Sequence, residues 1–178
     1  MSAEYGLKRG SGWVALLDAR LTLSKSHATV VNASISGDTT AGGRTRLPSL
    51  LAQRKPNIVI LELGANDALR GLPLSMTRDN LIAMTKAAKA AGAKVLIAGM
   101  QVPPNYGREY GEEFEGLFAS VAQAEGTALV PFLLKGVADG PRANTAFQAD
   151  RIHPLATEHP IILDNVWSAL SPMLAKNG

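Results

Sequence analysis

The sequence predicts an α/β domain in which a parallel β-sheet lies between two layers of helices. Short, nearly continuous apolar runs alternate along the chain with longer segments in which apolar residues recur at helical spacing. Apolar runs of this kind are typical of parallel sheets, which helices cover on both faces. No internal repeat or low-complexity linker interrupts the alternation, so one domain is predicted over residues 1–178.

The first third of the chain is predicted to form a helix, a strand and a second helix. The helix at 13–23, WVALLDARLTL, follows the turn-like GSG and has its apolar residues at helical spacing. The β-branched run in ATVVNAS predicts a strand over 28–33. The second helix is predicted within 39–54, where LPSLLAQR carries the pattern and the proline lies near the first turn.

The middle of the chain is predicted to form a strand, a helix and a strand. NIVILEL predicts a buried strand over 57–63, and KVLIAGM predicts the next one over 94–99. Between them, the segment 77–92 has a strong helical pattern, with Thr77 as its N-cap and Gly92 as its end.

The last third is predicted to contain a helix at 109–126, a strand at 127–131 and a closing helix at 159–176. Taken together, these elements predict a flavodoxin-like, three-layer α/β/α fold. Such a domain normally starts with a strand, whereas this chain opens on a helix. The first strand is therefore expected to be missing.

Composition and charge exclude several classes of function. The chain of 178 residues is 46% hydrophobic, and its net charge of +3 is scattered, so no nucleic-acid surface is expected. The absence of cysteine excludes disulfides and thiolate chemistry. No apolar stretch approaches the roughly 20 residues that a membrane span needs. The start, MSAEYGLKRG, lacks the apolar stretch of a signal peptide, and the compartment stays open.

Polar stretches follow the predicted strands, at the edge where parallel sheets bind ligands. They are NASISGDTT, GANDALRG and QVPPNYGRE. Gly37 in the first stretch can bring a backbone N–H close to a ligand, and the Asn66 amide in the second can donate to a developing oxyanion. Each also has a plainer interpretation, Gly37 as a turn residue and Asn66 as a turn or cap residue.

The heptapeptide QADRIHP places Asp150 three residues before His153. An imidazole beside a carboxylate is the arrangement of a general base. Alone, the two residues could equally form a structural pair or a His-Pro turn. His27 and His159 have no such neighbour and are predicted to be surface residues.

In combination, VVNASISGDT, LELGANDALRG, VPPNYG at 102–107 and DRIHP resemble the motifs of the SGNH (also called GDSL) hydrolases. The resemblance covers essentially the whole chain and is strongest to the bacterial acyl-thioesterase, lysophospholipase and arylesterase branch. It implies serine-type hydrolysis of carboxylic esters or thioesters, with no cofactor or metal. It implies that His153 is the base, that Asp150 orients it, and that Gly37 and Asn66 donate to the oxyanion. The loops after Asn66 and around VPPNYG are expected to line the acyl cleft.

The chain departs from the family at the nucleophile. The family's first block is a strand that runs into Gly-Asp-Ser-Leu-Ser, and its middle serine attacks the acyl carbon. Met1 stands where the leucine would be and Ser2 where the last serine would be, so this register places the nucleophile immediately before Met1. Ser2 is the nearest substitute, although a residue beside a terminus is usually mobile and a nucleophile must be held beside its base. The chain is therefore expected to be truncated just after the nucleophile block and to hydrolyse esters poorly.

Three hypotheses follow. The first is an ester or thioester hydrolase that acts on small acyl substrates. The second is a non-catalytic α/β module that binds acyl or carboxylate ligands. The third is a homo-oligomer in which another chain fills the gap left in the sheet. None of them includes nucleic acid or a membrane span.

Overall fold

A computed structural model describes residues 1–174 and confirms an α/β fold with a small parallel sheet. The strands are β1 (Ile58–Leu61), β2 (Lys94–Ala98) and β3 (Ala128–Val130), and they pair in the order β1-β2-β3. Both pairings are parallel, with Ile58 opposite Lys94 and Leu96 opposite Ala128. The α-helices of the described chain are α1 (Trp13–Leu23), α2 (Thr40–Arg54), α3 (Ala65–Leu69), α4 (Leu74–Ala90), α5 (Arg108–Glu125) and α6 (His159–Leu170). None of these helices is both long and apolar enough to cross a membrane.

The chain divides into two compact units. Unit 1 comprises Met1–Ser36 and Leu134–Trp167. Unit 2 comprises Gly37–Leu133 and the residues from Ser168 onward, and it therefore contains the whole sheet.

In unit 2, the central strand β2 is buried because it has a neighbour on each side and helices against it. Helix α4 packs against α2, α5 and β2, and α5 also contacts β2 and β3. Apolar side chains of the strands and helices meet in this core, and the burial of each one stabilises the fold by about 1.5–3 kcal/mol. Its fully buried members include Leu81, Met84, Leu96, Ile97, Phe114 and Phe118.

In unit 1, α1 and α6 supply the main apolar faces. Helix α1 buries Trp13, Leu17 and Leu21, which recur every four residues on one side of the helix. On its outer side, Arg20 binds Asp164 of α6, with 2.7 Å between Nη2 and Oδ1. The same guanidinium lies over the ring of Trp167, 5.3 Å from its centre. These contacts fix α1 to α6.

The prediction of a strand over 28–33 is wrong. This segment has no regular secondary structure, and the described sheet contains β1, β2 and β3 alone. Val31 and the nearby Ile35 are 54% and 59% exposed. A β-branched sequence favours an extended backbone, but only a neighbouring strand turns that backbone into part of a ladder.

Three helix boundaries also differ from the predictions. Helix α2 begins at Thr40, so Pro48 lies inside it and not in its first turn. Helix α4 begins at Leu74, so Thr77 is a buried interior residue and not the N-cap. Helix α6 ends at Leu170 and continues as a short 3₁₀ helix, Ser171–Met173. The last predicted positions of this helix, 175 and 176, lie outside the described residues.

Candidate active site

The carboxylate of Asp150 makes three contacts, two with His153 and one with the backbone just before it. Asp150 Oδ1 accepts hydrogen bonds from the backbone N–H groups of Ile152 and His153, each at 3.0 Å. Asp150 Oδ2 lies 2.7 Å from His153 Nδ1. A neutral imidazole that donates from Nδ1 carries its lone pair on Nε2, so this pairing leaves Nε2 as the basic nitrogen. Both side chains are partly exposed and accessible to a ligand.

The pKa of Asp150 is lowered from 3.8 to about 2. Burial acts to raise it, but the two backbone hydrogen bonds, the side-chain hydrogen bond to His153 and the charge of His153 together outweigh burial. Asp150 is therefore ionised throughout the neutral range, where it can stabilise a positively charged His153.

The loop around His153 is closed by its own backbone and by the start of the chain. Gln148 N donates to His153 O at 2.8 Å, and Phe147 forms an isolated bridge with Pro154. Gln148 Nε2 also donates to the carbonyl of Tyr5 at 2.9 Å. The Tyr5 ring lies against the imidazole of His153, with 4.6 Å between the ring centres. Tyr5 thus limits the orientations that the imidazole can take.

Ser2 is buried, with 5% of its surface exposed, and its carbonyl accepts a hydrogen bond from Asn32 Nδ2 at 2.8 Å. The turn that follows is closed by Glu4, whose carboxylate accepts from the N–H groups of Gly10 and Gly12. These two bonds lower the pKa of Glu4. The first residues are therefore bound to the rest of unit 1, and Ser2 shares that unit with Asp150 and His153.

The predicted oxyanion residues lie in unit 2. Gly37 has a φ of +75°, in the left-handed region that favours glycine, and its carbonyl accepts from Arg70 Nη2 at 2.7 Å. Asn66 lies in the first turn of α3, and its Nδ2 donates to the carbonyl of Asp38 at 2.8 Å. Because an amide nitrogen carries two hydrogens, this bond orients the side chain and leaves a second donor.

The short helix α3 was predicted as a loop, and glycine is what allows it to begin where it does. Gly64, its N-cap, has a φ of +120°. A Cβ at this position would lie 3.1 Å from the ring of Phe118 and 3.4 Å from the side chain of Thr77. Glycine is therefore required both by the backbone conformation and by the close approach of α5 and α4.

Sequence reasoning missed Tyr5 and Asp67. Tyr5 lies 148 positions from His153, and nothing in the sequence links the two. Asp67 follows Asn66 directly and is completely buried, where it accepts from Thr40 and Thr77. A carboxylate next to a predicted oxyanion donor was the signal that could have identified it. Within residues 1–174, no cluster of three or more His, Cys, Asp or Glu side chains could hold a metal ion.

The remaining histidines differ from each other. His27 is exposed, as predicted. The prediction that His159 lies at the surface is wrong, because it is only 1% exposed. Its Nδ1 accepts a hydrogen bond from Trp13 N at 2.9 Å, so it satisfies the first backbone N–H of α1.

The VPPNYG stretch forms a groove of about 320 Å³ in unit 2. It comprises the short 3₁₀ helix Pro104–Tyr106 and leads into the first turns of α5. The groove is lined by Gln101, Val102, Pro103, Pro104, Gly107, Arg108, Gly111, Glu112 and Glu115.

Comparison with known proteins gives consistent results. The sequence pattern of the GDSL-like lipase/acylhydrolase family matches residues 1–159. The chain is 51% identical over 174 residues to the esterase TesA of Pseudomonas aeruginosa. This alignment covers 98% of this chain and 85% of the relative. It is 39% identical to an arylesterase of Vibrio mimicus, over 93% of this chain and 82% of the relative. It is 38% identical to thioesterase 1/protease 1/lysophospholipase L1 of Escherichia coli, over 98% of this chain and 81% of the relative.

Solved structures agree with the sequence relatives. The crystal structure of TesA superposes on this chain with a TM-score of 0.93. The superposition covers 97% of this chain and 94% of the TesA chain. The esterase EstA from Pseudoalteromonas sp., solved in a form inhibited by monoethylphosphonate, superposes with a TM-score of 0.90 at 36% identity, over 97% and 93% of the two chains. The predicted flavodoxin-like fold is confirmed by these neighbours.

Proposed function

Because the chain belongs to the GDSL-like lipase/acylhydrolase family, we propose that it hydrolyses carboxylic esters and thioesters of small acyl groups by a serine-type mechanism. The observation that carries the proposal is the pairing of His153 with Asp150, which leaves Nε2 as the basic nitrogen. The substrate class rests on the relatives, which are named esterase, arylesterase and thioesterase/lysophospholipase.

His153 acts as the general base and then as the general acid. Nε2 takes the proton of the attacking oxygen and returns it to the leaving oxygen or sulfur when the tetrahedral intermediate breaks down. Asp150 keeps Nδ1 protonated and stabilises the imidazolium that forms between these steps. The lowered pKa of Asp150 supports this role, because the carboxylate is charged throughout the neutral range.

Gly37 and Asn66 stabilise the oxyanion. The N–H of Gly37 and the second hydrogen on Asn66 Nδ2 donate to the oxygen that gains negative charge in the transition state. Asn66 is suited to this because Asp38 already fixes the orientation of its amide. Removing one such donor typically costs a factor of about 10²–10³ in kcat.

The nucleophile is proposed from the register of the family's first block, which places it directly ahead of Met1. Ser2 is the alternative nucleophile. Its position beside the terminus argues against it, whereas its burial in the same unit as His153 supports it. A p-nitrophenyl phosphonate ester separates the two, because an activated serine displaces p-nitrophenolate and keeps the phosphonyl group. Peptide mass spectrometry shows whether Ser2 carries the added mass.

The hydrolase proposal is tested with p-nitrophenyl butyrate and butyryl thioesters, on the chain extended ahead of Ser2 by an apolar strand and Gly-Asp-Ser-Leu, which supplies the proposed nucleophile. We expect His153→Ala to lower kcat of the extended chain by several orders of magnitude and to leave only the residual rate that the oxyanion donors and binding support. His27→Ala is the matched control, because His27 is an exposed histidine of the same unit, and it should keep the rate of the extended chain. Equal rates for the extended chain with and without His153→Ala would contradict the proposal.

Two other functions remain as alternatives, and the same preparations test them. Saturable binding of butyrate by calorimetry, without turnover of its esters, would favour a non-catalytic acyl-binding module. A homo-oligomer is favoured by β1, which forms ladder bonds with β2 on one side and is an edge strand of the described sheet. Light scattering over a range of protein concentrations decides whether two copies associate.

A further inference from the structure

Asp67 is a buried carboxylate that the proposed mechanism does not use. It is completely buried in unit 2, as are Thr40 and Thr77 around it. Burying an unpaired charge is costly unless hydrogen bonds compensate for lost water. An acid at this position therefore requires a structural or functional reason.

The hydrogen bonds of Asp67 converge on the first residue of α2. Its Oδ2 accepts from Thr40 N at 2.9 Å, and its Oδ1 accepts from Thr40 Oγ1. Oδ1 also receives a longer contact of 3.4 Å from Thr77 Oγ1. Thr40 Oγ1 in turn accepts from Asn80 Nδ2 at 3.0 Å, which fixes the direction in which the Thr40 hydroxyl donates. Both oxygens of the carboxylate are thus committed to donors.

Asp67 is the buried member of a set of three side chains that connect residues 66–70 to residues 37–40. Asn66 binds the carbonyl of Asp38, Asp67 binds Thr40, and Arg70 binds the carbonyl of Gly37. The Arg70 bond is exposed to water and the Asn66 bond is partly buried, whereas the Asp67 bonds are fully buried. Hydrogen bonds to a charged group in a water-free site are the stronger ones. Asp67 therefore contributes most to holding the two segments in register.

We propose that Asp67 is a positioning residue of the oxyanion site, which sets the separation of Gly37 and Asn66 by locking α3 to the start of α2. The inference rests on the proposed role of Gly37 and Asn66 as oxyanion donors. Asp67 touches no reacting atom and acts only through these two residues. A displacement of about 1 Å in such a site can cost about 10² in rate.

Substitutions at both ends of the buried bond test this. Asp67→Asn replaces one carboxylate oxygen, an acceptor, by an NH₂ group. This donor then faces one of the two donors of Thr40, its backbone N–H or its hydroxyl. Thr40→Val removes the hydroxyl, whereas Thr40→Ser retains it. Thr85→Val is the matched control, because Thr85 is a fully buried threonine of α4 whose hydroxyl has no hydrogen-bond partner among the described residues.

The first measurement is the ¹⁵N–¹H spectrum of the Asn66 side-chain amide, identified by the signals that Asn66→Ala removes. We expect one slowly exchanging proton in the wild type, since that proton is bonded to the Asp38 carbonyl. Exchange should accelerate at least tenfold in Asp67→Asn and Thr40→Val, and should be unchanged in Thr40→Ser and Thr85→Val. This measurement does not depend on turnover, so it decides the role of Asp67 even if the hydrolase proposal fails its own test at His153.

The second measurement is turnover of p-nitrophenyl butyrate, which the chain is expected to carry out slowly because oxyanion donors support a residual rate even without the nucleophile. We expect Asp67→Asn and Thr40→Val to lower kcat by a factor of about 10–100 with KM within about twofold, because oxyanion contacts act in the transition state. Thr40→Ser and Thr85→Val should keep the wild-type kcat. If Asp67→Asn does not fold, the Thr40→Val and Thr40→Ser pair decides. Wild-type amide exchange in both Thr40→Val and Asp67→Asn, or a loss confined to KM, would overturn the inference.

Discussion

The three-residue spacing of Asp150 and His153 determines which imidazole nitrogen is left for chemistry. One carboxylate accepts from the N–H groups of Ile152 and His153 and also meets Nδ1, so the loop backbone and the imidazole orientation are set together. Because all three contacts are local, the pair could be predicted from the sequence. The Tyr5 ring on the imidazole could not be, since it depends on how distant parts of unit 1 pack.

The lowered pKa of Asp150 makes a testable contribution to stability. A carboxylate whose pKa falls from 3.8 to about 2 on folding stabilises the folded state above pH 4 and loses that effect as the pH falls towards 2. We expect Asp150→Asn to lower the free energy of unfolding by about 1 kcal/mol at pH 6, a reduced value because the side chain is partly exposed. Urea titrations of both proteins between pH 6 and pH 2.5 measure the difference. It should shrink below pH 4, and a difference that stays constant to pH 2.5 would contradict the assignment.

Elements with strong local patterns could be predicted, and elements that depend on partners could not. Helix α1 and strands β1 to β3 lie where the apolar spacing indicates them. The segment 28–33 has a strand-like composition, but a ladder requires a neighbour that no local pattern reveals. The start of α4 was misplaced because its N-cap, Pro73, makes no side-chain capping bond. Helix α3 has only five residues, too few to show a period.

Helix α1 depends on a cap from another helix, and this gives a second test of stability. His159, at the start of α6, accepts the N–H of Trp13 and is 1% exposed. His159→Ala leaves that N–H unsatisfied and creates a cavity, so we expect a loss of about 2–4 kcal/mol in the free energy of unfolding. His159→Asn retains an acceptor near the position of Nδ1 and should lose less. Hydrogen exchange at the Trp13 amide reports directly on the cap. Equal protection of this amide in the wild type, His159→Ala and His159→Asn would show that the cap is not needed.

At the scale of the whole molecule, the open side of β1 and the proposed position of the nucleophile both bear on the segment ahead of Ser2. Strand β1 is apolar, IVIL, and bonds to β2 on one side only in the described sheet. The resemblance implies a first block in which a strand runs into Gly-Asp-Ser-Leu-Ser. The motifs of the candidate site could be recognised in the sequence because each of them is local, whereas the buried position of Ser2 could not be predicted. The register of residues 1–6 stays a prediction.

We therefore expect an apolar strand followed by Gly-Asp-Ser-Leu, joined ahead of Ser2, to raise both stability and turnover. Each new ladder bond contributes about 0.5–1.5 kcal/mol, so the melting temperature should rise. Supplying a nucleophile should raise kcat for p-nitrophenyl butyrate by several orders of magnitude, since its loss in serine hydrolases costs about 10⁶. The same extension with Ala in place of the new Ser is the control, and it should gain stability without activity because it adds the strand and not the attacking oxygen. Full turnover by the 178-residue chain, abolished by Ser2→Ala, would show instead that Ser2 is the nucleophile and that the register is off by two residues.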